Sequence, residues 1–369
     1  MAQKYIIPSS LLIILMVLIL AGCTVTATTR PTSSQLPISI PITTTPAKLR
    51  TEIIKTSTPS IIASPTYKTS VTTETATSKS ALAQLTYVFH HANGKSDVHA
   101  QNVYCYQTEP GCLGTPELLF EWNDWISGID WSPDGKKVIF MSGMYGTELY
   151  ISDWNGKNAI QVTGKCGTAE WPKWSLDGSK VAYIFAEGKN DCEYLDYPRI
   201  QIFDIASGQV NEVFTTANGP SRINWLPGGE FAYIAYNSET ARIETIYIVE
   251  KNGNIIHQLP PNADNFTHIL GLSFSNDGQQ IAFVGDTWPI TGTETTDIYI
   301  ADREGNNTLN ITEGKGLNFA PAWSPLGDWI AFESNRTGDY EIYVIKPDGK
   351  GLMQITNNNA SYPAWRVLP

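Results

Sequence analysis

The sequence predicts an all-β chain: a six-bladed β-propeller of four-stranded blades, its closing blade shared by N- and C-terminal strands, preceded by a disordered stalk. Three observations carry this. A tryptophan-led, turn-forming pentad recurs at near-regular intervals, each copy is followed by two short apolar runs of alternating pattern, and 11 Trp, 29 Gly and 22 Pro in 369 residues suit many short strands joined by tight turns.

The first element, residues 1–22, reads as an export signal. Lys4 supplies a sparse positive start and Ile6 to Leu20 an apolar stretch broken only by Pro8, Ser9 and Ser10. A transmembrane anchor is the alternative, but fifteen residues fall short of the ~20 needed to cross hydrocarbon. Leu20-Ala21-Gly22-Cys23 resembles the lipobox of bacterial lipoproteins. By that resemblance Cys23 is the mature N-terminus and bears the acyl chains that hold the protein on the outer face of the cell membrane or an outer membrane.

Residues 23–80 form the second element. Between 24 and 80 lie 17 Thr, 9 Ser and 6 Pro, with Tyr67 the sole aromatic, so no core can form and an extended, solvated stalk is expected. The stalk is mildly basic. Residues 81–369, the third element, carry a net charge of -16 out of -11 for the chain. That excess of acid excludes nucleic acid as a partner, because phosphate binding needs clustered cations.

The repeats are Trp131-Ser-Pro-Asp-Gly135, Trp174-Ser-Leu-Asp-Gly178, Trp225-Leu-Pro-Gly-Gly229, Phe274-Ser-Asn-Asp-Gly278 and Trp323-Ser-Pro-Leu-Gly327, with Trp365 opening a sixth, at intervals of 43, 51, 49, 49 and 42 residues. Each glycine precedes an apolar run such as Val138-Ile-Phe140 or Ile330-Ala-Phe332. A second run follows, such as Leu149-Tyr-Ile151 or Ile342-Tyr-Val344, and then a second turn, as at Asn155-Gly156 and Asp348-Gly349. The unit is a four-stranded meander, A to D, and all-strand repeats of this period make a propeller. Trp365 supplies strand A of the closing blade, with Leu85–Phe89, Val103–Tyr106 and Glu117–Phe120 as B, C and D. Pro172, Pro321 and Pro363, each two residues before the repeat aromatic, suit strand A as an inner edge lining the channel.

Trp131-Ser-Pro-Asp-Gly135, together with Ser334-Asn-Arg-Thr-Gly-Asp-Tyr-Glu-Ile-Tyr-Val344, Asp348-Gly349 and Gln354-Ile-Thr356, resembles the TolB-type propeller repeat, a WD-repeat-like module, over about residues 83–369. The resemblance implies the fold and leaves function to the site. In that family an α/β domain precedes the propeller and the protein works with the Tol-Pal envelope system; here signal and stalk stand in that place.

Strand order puts A–B and C–D turns on a first face and B–C and D–A connections on a second. The first face is expected to hold uniformly short turns, and the second the variable loops where binding usually resides. Candidate ligand or partner contacts are Trp125, Tyr145, Trp171, Tyr194, Asp196, Tyr197, Asp286, Trp288 and Arg336. With Cys23 lipidated, Cys105, Cys112, Cys166 and Cys192 remain, an even number for an oxidising compartment. Three pairings are open; position along the blades favours Cys105–Cys112 and Cys166–Cys192, free buried thiols are the alternative, and neither pair has the C-x-x-C spacing of a zinc site.

Catalytic motifs are lacking: the sequence has no G-x-S-x-G, P-loop, H-E-x-x-H or Rossmann fingerprint. His90, His91, His99 and His268 map to the second face or its margin, the first three on the closing blade and His268 before the fourth, roughly across the channel. No cofactor is expected; acidic loops could take Ca²⁺ through oxygen ligands, with no D-x-D-x-D-G loop to mark one. Two function classes follow. One is a membrane-tethered module binding or scaffolding a protein, peptide or glycan of the envelope. The other is a propeller enzyme, a glycan lyase or Ca-dependent hydrolase, acting at the channel mouth.

Overall fold

The computed structural model describes residues 83–103, 114–143, 148–164, 167–187, 198–214, 219–236, 244–251, 254–259, 266, 268–286 and 295–369, all within the compact unit Ala76–Pro369. They build six four-stranded antiparallel sheets. The closing blade takes β1 (Ala83–His90), β2 (Ser96–Gln101) and β3 (Glu117–Trp122) from one end of the chain and β24 (Ala360–Val367) from the other. Blade 1 is β4 (Ile126–Trp131), β5 (Lys137–Ser142), β6 (Glu148–Asp153) and β7 (Ile160–Gln161). Blade 2 is β8 (Gly167–Trp174), β9 (Lys180–Glu187), β10 (Arg199–Asp204) and β11 (Val210–Phe214). Blade 3 is β12 (Arg222–Trp225), β13 (Phe231–Tyr236), β14 (Glu244–Val249) and β15 (Ile255–Leu259). Blade 4 is β16 (His268–Phe274), β17 (Gln280–Asp286), β18 (Thr296–Asp302) and β19 (Leu309–Asn310). Blade 5 is β20 (Asn318–Trp323), β21 (Ile330–Ser334), β22 (Glu341–Ile345) and β23 (Met353–Gln354). The A strands touch in a closed circle, β4 to β8, β12, β16, β20, β24 and back to β4, which makes them the wall of an axial channel.

The pentad's chemistry explains the A–B turn. In the first copy the Ser132 hydroxyl donates to Asp134 Oδ1 at 2.7 Å and accepts the Lys137 N–H at 2.9 Å, while the Gly135 N–H reaches the Ser132 carbonyl at 2.8 Å. Gly135 sits at φ 64°, where a side chain is strained. Ser175 with Asp177 and Ser275 with Asp277 repeat these bonds. The third copy lacks both partners and closes with a short 3-10 turn at Pro227–Gly229 instead.

Apolar side chains then fill every gap between blades, one cluster to each of the six interfaces. Ile126, Trp131 and Phe140 meet Val88 and Phe120 at the first, and Ala331, Ile342 and Val344 meet Leu85, Tyr87 and Trp365 at the last. Three of the repeat tryptophans also tie blades together through their indole N–H groups. Trp225 donates its indole N–H to the Lys173 carbonyl at 3.0 Å and Trp365 to the Ala322 carbonyl at 2.9 Å, each on the preceding A strand. Trp131 reaches Ala364 through a relay: its N–H donates to Thr86 Oγ1 at 2.8 Å, and that hydroxyl donates to the Ala364 carbonyl at 2.9 Å.

Strand C of the closing blade departs from the sequence reading. It is Ser96–Gln101, paired with β1 through the tight turn at 91–95, and not Val103–Tyr106. Its C–D connection therefore runs from 102 to 116, and the first face is not uniformly short.

Candidate functional site

Strand A bends where it lines the channel. In blades 2, 5 and the closing blade, the residue before the inner proline is left-handed: Trp171 at φ 54°, Ala320 at 50° and Tyr362 at 56°, and the ladder to strand B slips there. Such a conformation costs a non-glycine residue roughly 1–2 kcal/mol. It is held by the neighbouring blade: the Trp171 N–H donates to Met141 Sδ at 3.3 Å and the Tyr362 N–H to Glu333 Oε1 at 2.6 Å. The bend swings side chains three and four residues before the repeat aromatic to the second-face half of the channel. There the Arg222 guanidinium lies 3.5 Å over the Trp171 ring, with Glu170 beside it and Tyr362, from the opposite blade, within its electrostatic reach.

Burial governs the charges. It brings Arg222 down to about 10, although Glu170, Glu244 and Tyr362 oppose it. Burial also raises the Glu170 carboxyl above its ordinary range against the pull of Arg222, and pushes Glu333 up to about 7, partly offset by the Tyr362 N–H. Glu333 occupies a position that Met141, Ile184 and Val284 fill in other blades.

Many second-face acids serve the fold. A residue at or near the start of strand C grips the chain entering the next blade: Glu244 Oε2 accepts the Ile269 N–H at 2.8 Å, Asp297 Oδ1 the Gly314 N–H at 2.9 Å and Glu341 Oε1 the Asn359 N–H at 3.0 Å. Thr312 and Thr356 hydroxyls support Asp297 and Glu341 at 2.6 and 2.5 Å. In the closing blade Ser96 does the same work, its hydroxyl taking the Ile126 N–H at 2.9 Å.

Four of the sequence candidates lie among the described residues. Trp125 is half-buried and stacks on His90, centroids 3.7 Å apart, with its indole N–H buried and unpartnered. Burial and His91 bring His90 down to about 4. Trp171 forms the shelf under Arg222. Asp286 ends strand B of blade 4, opposite His268 in register. Arg336 is committed to the scaffold: Nε donates to Ser334 Oγ at 3.0 Å, Nη2 to Asn318 Oδ1 at 2.9 Å, and the guanidinium covers Phe332 and Tyr343. Tyr145, Tyr194, Asp196, Tyr197 and Trp288 lie outside the described residues, as do Cys23, Cys105, Cys112, Cys166 and Cys192. Among the described residues no group of three or more His, Cys, Asp or Glu could hold a metal ion. The structure brings in Glu170, Arg222, Glu333 and Tyr362, which the sequence reading missed; the three on strand A share an offset of three or four residues before the repeat aromatic.

No protein-family model matches the chain. Over 250 residues it is 25% identical to the Tol-Pal system protein TolB of Francisella tularensis subsp. mediasiatica, covering 65% of this chain and 54% of that one. An uncharacterized protein of Agrobacterium fabrum, Atu1656, is 28% identical over 201 residues, covering 54% and 61%. The chain thus spans between half and two thirds of these relatives' length. Among solved structures, TolB from Acinetobacter baumannii superposes with a TM-score of 0.61 at 19% identity, over 77% of this chain and 66% of that one. A putative TolB from Agrobacterium tumefaciens gives 0.54 at 18%, over 78% and 99%.

Proposed function

The chain carries a TolB-like β-propeller, and from that premise we propose an exported, lipid-anchored module whose second face binds a protein of the cell envelope. The relatives point to the protein-binding class, being proteins of the Tol-Pal system. The observation that carries the reading is the channel mouth itself, where Trp125, Trp171, Glu170 and Arg222 stay half-buried on the face that carries the B–C and D–A connections. Half-buried aromatics beside charges offer a partner flat apolar area with little entropy to lose. In this proposal residues 1–22 are the signal, 23–80 the lipidated stalk and 81–369 the propeller.

Two experiments test it. Capture of envelope proteins by the full chain should weaken by ~1–3 kcal/mol with Tyr194→Ala or Trp288→Ala on the second-face loops, and stay unchanged with Lys136→Ala or Lys350→Ala on the first face. Loss confined to the lysine variants would reverse the face assignment. Cys23→Ala should abolish acyl labelling and membrane retention; retained acylation would remove the lipid anchor from the proposal. The proposed bridges, Cys105–Cys112 and Cys166–Cys192, are read by peptide mapping without reductant.

A further inference from the structure

Charges on the innermost strands are normally consumed by the wall they stand in. Asp130 on β4 and Lys173 on β8 close into an ion pair at 3.0 Å, and Asp130 also takes the Trp174 N–H at 2.8 Å. Arg366 on β24 is buried, bonded to the Gly135 carbonyl at 3.0 Å and covered by Trp131 and Trp154. Glu170 and Arg222 are treated differently, only three residues from Lys173 and Trp225 respectively.

Glu170 on β8 and Arg222 on β12 occupy neighbouring innermost strands and feel each other's charge, yet they form no ion pair. Arg222 makes one hydrogen bond, from Nη1 to the Ser221 carbonyl at 2.7 Å, out of five N–H groups. The polar neighbour of Glu170 on its own strand is the Trp171 indole N–H, close enough to favour the charged carboxylate but outside hydrogen-bond geometry. The Trp171 ring explains the separation, because the guanidinium carbon sits 3.5 Å from the ring centroid and is held there, with N–H groups left over beyond the one given to Ser221. Both side chains are half-buried, and the solvent beside an innermost strand is the channel. Burial acts against the charge of each, as expected where neither fully compensates the other.

We infer that this level of the channel binds a compact zwitterion, its carboxylate on Arg222 and its ammonium on Glu170, the free α-amino acid being the smallest ligand of that kind. A guanidinium edge takes a carboxylate through two parallel N–H bonds, and a carboxylate accepts an ammonium. The pair sums to zero charge, so a ligand with one charge of each sign meets both without repulsion. A dianion such as phosphate would face Glu170 and the nearby Glu244; a simple amine would face Arg222. The inference rests on the same channel as the protein-binding reading and adds a small ligand to it.

The test uses the full chain and the twenty common L-amino acids as probes, screened by thermal shift and followed by titration calorimetry. The best binder should bind at least tenfold tighter than its N-acetyl and C-amide derivatives. Arg222→Gln and Glu170→Gln, each checked by circular dichroism for intact folding, should each lose at least tenfold. Tryptophan emission should respond in the native chain and not in Trp171→Phe. The inference fails if no amino acid binds the folded chain, if blocked derivatives bind equally well, or if both variants bind like the native chain. Arg222-dependent binding of inorganic phosphate, with no amino acid bound, would also overturn it. Capture of envelope protein is measured separately with Tyr194→Ala and Trp288→Ala; its loss in those variants leaves the protein-binding reading standing whatever the amino-acid result, and its survival there counts against that reading alone.

Discussion

Two side chains near Tyr362, Glu333 and His90, link stability to pH with opposite signs. Glu333 is 2% exposed and carries a pKa of about 7, against an ordinary 4.5, because burial outweighs the single N–H it accepts. Its folded value is raised, so its favourable contribution is complete below pH 4.5 and is lost as pH rises through 7. The loss amounts to about 3 kcal/mol, an upper figure for a buried acid. Glu333→Gln keeps an acceptor for Tyr362 and should remove this fall; denaturant unfolding of both proteins at pH 5 and pH 8 reads the difference. His90 has the reverse sign. Its folded value, about 4 against 6.5, means stability present above 6.5 that drains away as pH falls toward 4. His90→Phe should preserve the stack on Trp125 and flatten the acid limb of the same unfolding profile. Loss of Trp125 emission changes at low pH in that variant would tie the limb to the stacked imidazole.

Between elements, the recurring economy is a polar group on one blade satisfying the backbone or indole of the next. Thr86 is the most exacting case, fully buried and engaged at once with Trp131 and Ala364. Thr86→Val keeps shape and leaves a buried indole N–H and a carbonyl without their partner, for an expected loss of about 2 kcal/mol. Thermal unfolding of that variant against Thr86→Ser, which retains the hydroxyl, separates the bond from the packing. The pentads were legible because a turn with glycine at positive φ needs those residue types, and two serine bonds leave a mark in sequence. Strand C of the closing blade was not, since Ser96-Asp-Val-His-Ala-Gln101 buries Ser96 and Gln101 beside Val98 and Ala100 and lacks the β-branched run of its counterparts. Glu170 and Arg222 were illegible for another reason: a bend sets the direction of the first, and the two belong to repeats whose pairing appears only once the circle closes. Arg336 misled because a lone cation among acids looks free until Asn318 and Ser334 are seen to hold it.

At the scale of the molecule, the circle is fastened where β24 lies between β1 and blade 1. Gly135 of the first pentad is pressed there against the chain's last strand: a Cβ built on it would stand 1.7 Å from the Val367 carbonyl oxygen. Gly135→Ala should therefore cost more than the same change at Gly327, which has open space around it, although both have positive φ. A difference of at least ~2 kcal/mol in unfolding free energy is expected, and equal losses would mean that the seam does not bear on the turn. The same fastening sets a schedule for biosynthesis. Thr86 and Ala364 are separated by 278 residues, so at 5–20 residues per second a ribosome needs roughly 15–60 s after making one before it supplies the other. Throughout that interval β1 lacks its β24 partner, and the blades made so far can form only an open arc. For the exported chain proposed above this delay is an advantage, because the propeller cannot lock into its final form before its last strand is made.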